Sequence, residues 1–146
     1  MIGIVVSGHI KFASGMQSAI KTIVGEPEQM CFVDFIESMS TDELESALRK
    51  AAQEVNSDEG VLFLTDIPGG SPANRATAIL MDTAQVEVLA GVNLPMIANA
   101  AFERDGVSLN ELVEILQEIG KSTMQDMRKA LATAMAQEES DVLEGL

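Results

Sequence analysis

The chain has 146 residues, 47% of them hydrophobic, which is enough for one domain with a sizeable core. Nine Lys and Arg stand against 23 Asp and Glu, a formal net charge of −14; this excludes nucleic acid and an anionic membrane surface as partners and suits basic proteins. Five Phe with no Trp or Tyr leave an aliphatic, Met-supplemented core, and a single Cys excludes an internal disulfide.

In chain order, the apolar run at residues 2–7 predicts a strand, followed by Gly8 and the only histidine, His9. Apolar spacings of three and four predict a helix over 12–24, which Gly25 and Pro27 end. Residues 30–35 predict a second strand and 42–55 a second helix, with N-cap candidates from Ser40 onward. A turn at 56–60 leads to a third strand over 61–65. The loop 66–72 follows, in which Ser71 is placed to cap a helix whose first residue is Pro72 and which runs to about residue 81. Residues 86–90 predict a fourth strand and 95–102 a short helix. Ser108 and Glu111 have capping-box spacing and open a helical stretch that reaches residue 136, with a bend expected at Gly120. The acidic tail 137–146 is expected to be mobile.

Strand and helix alternate, and the strands are continuously apolar. The expectation is a doubly wound α/β fold, with a mainly parallel sheet of four strands and helices on both faces. Residues 1–136 form its single domain. No segment approaches the roughly 20 apolar residues that span a bilayer, and no basic region precedes the apolar start, so a cytoplasmic setting is expected.

If the strands are parallel, their C-terminal ends share one edge of the sheet, where ligands gather in open α/β folds. His9 and Asp66 then become neighbours. A carboxylate that accepts from one imidazole nitrogen fixes the tautomer and leaves the other nitrogen with a free lone pair. Such a nitrogen is a nucleophile or a general base. The glycine turn Gly69-Gly70-Ser71 before a helix offers backbone N–H groups to an anion such as a phosphoryl group. Each feature alone also fits a plainer role: a solvated loop histidine, a turn-capping aspartate, a glycine turn.

Other signals are weaker. Ser7 or Ser71 with His9 would suit a serine hydrolase, but no Gly-x-Ser-x-Gly elbow is present. Gly120-Lys121-Ser122-Thr123 lacks the first glycine of a phosphate-binding loop and lies in a helical pattern. One His and one Cys give no metal-ligand spacing, and no cofactor is expected. Cys31 reads as an inert core thiol.

The segments IGIVVSGHIKFASG from Ile2, VLFLTDIPGGSPAN from Val61 and VEVLAGVNLP from Val86 resemble the enzyme IIA component of the mannose-type bacterial phosphotransferase system. Residues 12–15 resemble its N-acetylgalactosamine-type branch. Ile67 and Pro68 depart from the Thr-Trp pair common in mannose proteins. The resemblance implies a phosphoryl carrier of sugar uptake. His9 would take phosphate from the phosphocarrier HPr and pass it to a separate enzyme IIB, which serves the membrane subunits IIC and IID. Asp66 would orient the imidazole, and Gly69, Gly70 and Ser71 would lie beside the phosphate. A homodimer with an exchanged antiparallel strand is also implied. Two other functions remain open: the phosphotransferase subunit of a dihydroxyacetone kinase, and a regulatory or ligand-binding module in which His9 is never phosphorylated.

Overall fold

Strand β1 (Gly3–His9) is apolar on both faces and takes a central place in the sheet. In the computed structural model, which describes residues 1–145, it is followed by α1 (Phe12–Ile23), β2 (Met30–Phe35), α2 (Thr41–Val55), β3 (Val61–Thr65), α3 (Ser71–Asp82), β4 (Val86–Ala90), α4 (Leu94–Glu103), α5 (Leu109–Ser122) and α6 (Met127–Glu144). The four strands pair in parallel in the order β2-β1-β3-β4.

Alternation along each strand sends side chains to two separate cores. Ile4, Val6, Leu62 and Leu64 face Ala13 and Ile20 of α1, Met96 and Ile97 of α4, and Leu112 and Leu116 of α5. Val5, Val61 and Phe63 face Leu44 and Leu48 of α2 and Ala76 and Ile79 of α3. The helices therefore cover both faces, as the apolar strands require.

The chain leaves β1 toward β2 on one side and then returns to β3 on the other. The strand order thus reverses between β1 and β3, and a crevice opens beyond their C-terminal ends. His9 ends β1, and Asp66 follows β3 directly.

Three details differ from the sequence expectation. The long C-terminal helix is two helices, and the break falls at 123–126 rather than at Gly120. Asp126 caps the second helix, its Oδ1 accepting the N–H groups of Arg128 (3.0 Å) and Lys129 (3.3 Å). A Cβ at Gly120 would lie 2.7 Å from Met96 Sδ, so this glycine serves close packing of α5 on α4 and not a bend. Residues 137–144, expected as a mobile tail, continue α6; Leu146 lies outside the described residues. Among the described residues no strand follows Ala90, so the single chain supplies four parallel strands and no antiparallel fifth.

Arg104 was not singled out by the sequence. It is buried at the C-terminus of α4 and donates to the carbonyls of Ile2 (3.2 Å), Gln29 (3.2 Å) and Glu28 (2.5 Å). It ties the starts of β1 and β2 together at the end of the sheet away from His9.

Candidate functional site

The parallel register sets His9 beside Phe35 and brings Asp66 to the end of β1. The Asp66 backbone is held on both sides: its N–H donates to the Ser7 carbonyl (3.3 Å), and its carbonyl accepts from the Gly91 N–H (2.5 Å). Gly91 has φ 81°, a left-handed conformation that glycine adopts without penalty. The carboxylate is thereby aimed at His9.

Asp66 Oδ2 accepts from the His9 backbone N–H at 2.8 Å and lies 2.8 Å from its Nδ1. A carboxylate accepts, so Nδ1 carries a hydrogen, and in the neutral ring the lone pair is on Nε2. The second carboxylate oxygen, Oδ1, is buried with no hydrogen-bond partner in the protein. His9 is 40% exposed and Asp66 only 12%, so the ring is accessible while its partner is sheltered.

Two neighbours limit the ring. Phe35 meets it edge-on, with centroids 5.9 Å apart and planes at 64°. On another side, a Cβ at Gly70 would lie 2.6 Å from His9 Cε1 and 3.4 Å from Nε2. Only a glycine lets the loop backbone approach that edge of the imidazole. Gly70 has φ −77° and ψ 165°, and it is the N-cap of α3. Ser71 is therefore the first residue of the helix, not its cap, and Pro72 is the second. The expected capping role passes to the Gly70 backbone because the turn ends one residue earlier than the Ser-Pro pair suggests. Gly69, at φ 83° with open space where a Cβ would stand, makes the turn, which closes through the Gly70 N–H on the Ile67 carbonyl (3.1 Å).

The first amides of a helix have no intrahelical acceptor and carry the positive end of its dipole. The start of α3 lies against the Cε1–Nε2 edge of His9, where a Cβ on Gly70 would stand. The arrangement can place an electrophile bearing anionic oxygens between a nucleophilic nitrogen and main-chain donors. No Lys or Arg is hydrogen-bonded to His9 or Asp66 among the described residues.

All the sequence-predicted site residues thus converge on one crevice: His9, Asp66 and Gly70 in direct contact, with Gly69 and Ser71 flanking Gly70. Ser7 is different. It is fully buried and donates its hydroxyl to the Val33 carbonyl at 2.8 Å, which removes it as a hydrolase nucleophile. Two contributors were missed. Phe35 ends β2, and the same strand-end argument that selected His9 applies to it. Ile10 has φ 55°, unusual for a β-branched residue, and its N–H donates to the Phe35 carbonyl at 2.8 Å. It turns the chain sharply after His9. A single sequence carries no signal for it.

Known proteins match this chain along most of its length. A family model described as "PTS system fructose IIA component" matches residues 3–117. The mannose-specific EIIAB component of Escherichia coli K12 is 32% identical over 128 residues, which cover 87% of this chain and 40% of that protein. The chain thus spans about two fifths of the length of that relative. The fructose-specific EIIA component of Bacillus subtilis is 28% identical over 125 residues, 86% of each chain. The crystal structure of phosphotransferase system component EIIA from Streptococcus agalactiae superposes with a TM-score of 0.82 at 27% identity, covering 88% of this chain and 99% of that one. The mannose/sorbose-specific IIA subunit from Enterococcus faecalis superposes with a TM-score of 0.76 at 26% identity, covering 86% and 93%. With its parallel sheet and its match across residues 3–117, the chain belongs to the mannose-type family of phosphotransferase-system IIA components.

Proposed function

We propose that this protein is a phosphoryl carrier of a sugar phosphotransferase system. The observation that carries the reading is the His9–Asp66 contact of 2.8 Å, which puts the lone pair of the neutral ring on Nε2, beside the N-terminus of α3. The Nε2 lone pair attacks the phosphorus of phosphorylated HPr. A P–N bond forms on His9, the bond from phosphorus to the donor breaks, and its electron pair returns to the donor. The Nδ1 proton stays with the ring, held by Asp66, which stabilises the positive charge that develops on the imidazole. Main-chain donors in the first turn of α3 from Ser71 onward, with the loop shaped by Gly69 and Gly70, receive the phosphoryl oxygens. Transfer to enzyme IIB is the reverse step with a new acceptor, and IIB in turn feeds the membrane subunits IIC and IID.

A carrier must give up what it takes, and a site in which no Lys or Arg among the described residues bonds His9 or Asp66 suits that requirement. It stabilises the moving group without trapping it. The −14 charge favours encounter with basic partner surfaces. The proposed setting is cytoplasmic and the proposed assembly a homodimer; no helix among the described residues is long and apolar enough to cross a membrane. Relatives named as phosphotransferase-system components favour sugar uptake over the dihydroxyacetone kinase function.

Incubation with phosphoenolpyruvate, enzyme I and HPr, followed by mass spectrometry, tests the proposal. The expected result is one acid-labile phosphoryl adduct on His9, absent from His9→Ala, which moves on to IIB. No adduct on the folded wild type would favour a ligand-binding module, and delivery only to a kinase nucleotide would favour the kinase subunit.

A further inference from the structure

Ile10 holds a conformation that its residue type disfavours. Its φ is 55°, in the left-handed region that a β-branched side chain rarely enters and that glycine takes freely. The other non-glycine residues of positive φ among the described residues, Gln29 and Gln85, are unbranched. The turn after His9 uses the Ile10 backbone, whose N–H donates to the Phe35 carbonyl at 2.8 Å, and a glycine would serve it equally. Core packing does not call for the side chain either, since Ile10 is 47% exposed. A branched side chain kept at the expense of backbone strain, and half in water, has its use outside the fold.

Two more isoleucines stand in matching places. Ile36 follows Phe35, which meets the His9 ring edge-on, and Ile67 follows Asp66, which bonds that ring. They are 42% and 63% exposed. Of the four exposed isoleucines among the described residues, three thus adjoin a residue of the site, and only Ile23 lies elsewhere. Exposed apolar side chains gathered round an accessible reacting group mark a contact surface.

We propose that Ile10, Ile36 and Ile67 form an apolar rim on which the phosphodonor protein seats, with Ile10 as its anchor. The inference rests on the phosphoryl-carrier reading and names the residues that hold the donor. The donor's phosphorus has to reach Nε2, so the donor's surface lies on whatever borders His9. The −14 charge speeds the approach of a basic partner over long range. Short-range apolar contact at the rim then sets how long it stays. The occupant is a protein whose phosphorylated residue is itself ringed by apolar side chains.

Quench-flow phosphorylation of His9 over a range of phosphorylated HPr concentrations tests it, with KM and the saturated rate read separately. Ile10→Gly keeps the left-handed turn and removes the side chain. It is expected to raise KM about tenfold or more and to change the saturated rate less than about threefold. Its melting temperature should stay near that of the wild type. Ile10→Val, which keeps a branched apolar side chain, should hold KM within about threefold of the wild type, whereas Ile67→Ser should raise it. An unmoved KM in Ile10→Gly overturns the anchor, and an unmoved KM in both Ile10→Gly and Ile67→Ser overturns the rim. A lower saturated rate with KM unmoved would make Ile10 a positioning residue for His9 and overturn its docking role. A change in sedimentation of Ile67→Ser with KM unmoved would give the rim to a second copy and overturn the proposal. A wild type that takes up no phosphate overturns the carrier reading as well; a labelled wild type with unmoved variants overturns the rim alone.

Discussion

A single oxygen of Asp66 holds His9 at two points, the backbone N–H and Nδ1, each at 2.8 Å. The carboxylate therefore fixes both where the ring begins and which tautomer it adopts. Asp66→Ala removes both restraints while the sheet and its cores stay intact. The phosphorylation rate should fall by roughly 10²–10⁴-fold, the range seen when an orienting carboxylate is lost from a histidine. Quench-flow with phosphorylated HPr measures it; unchanged kinetics would remove the orienting role.

Gly70 makes a sharper test. Its φ of −77° suits any residue, so Gly70→Ala adds no backbone strain. The new methyl would nonetheless stand 2.6 Å from His9 Cε1 and displace the ring. The expected outcome is a melting temperature close to wild type with at least about tenfold slower phosphorylation. A large loss of stability instead would show that the contact is structural.

At the other end of the sheet, Arg104→Ala removes a donor from three carbonyls, of which that of Gln29 keeps the Ile4 N–H (3.1 Å). Burial already depresses the pKa of this guanidinium, so removing the charge returns part of the loss. A net destabilisation of about 2–3 kcal/mol is expected from urea unfolding, with phosphorylation unchanged in the folded fraction.

Arg49 reaches from α2 to Asp82 of α3 through two bonds of 3.0 and 2.7 Å. The Arg49 bonds, then the Thr83 hydroxyl, pull the Asp82 carboxyl down to about 2 from an ordinary 3.8. On acidification the unfolded chain takes up this proton first. The pair thus contributes stability above about pH 4 and loses it as pH falls toward about 2. Both groups meet solvent, so the effect is modest and salt-screened. Asp82→Asn should flatten that part of the pH profile, lowering the urea midpoint slightly at neutral pH and leaving it nearly unchanged near about pH 2.

Burial and then the nearby Glu54 carboxylate, 3.7 Å from Sγ, raise the Cys31 pKa. Its alkylation near neutral pH should be slower than that of free cysteine, and Glu54→Gln should speed it. Thiol labelling followed by mass measures both rates.

Most of the site could be read from the sequence because one rule generates it. Parallel strands put their C-terminal ends together, so His9 and Asp66 could be paired across a separation of 57 positions. The Gly69-Gly70-Ser71 turn announced a helix start, and only its cap shifted by one residue. What stayed hidden depends on register or on distant partners. Phe35 reaches His9 only through the β1–β2 alignment. Arg104 looks like any surface arginine until residues 2, 28 and 29 are seen to present carbonyls to it. The break before α6 was obscured because apolar spacing continues on both sides of it. Asp126 is one acidic residue among many.

What approaches the Cε1–Nε2 edge of His9 is main chain, that of Gly70 at the start of α3. Side-chain turnover at neighbouring positions cannot delete an amide; a proline or a shifted helix start can. Chemistry anchored in this way can persist while the surrounding loop diverges, and Ile67-Pro68 in place of Thr-Trp would leave it in place. Drift in the loop is then free to alter which proteins dock over the crevice without altering what happens inside it.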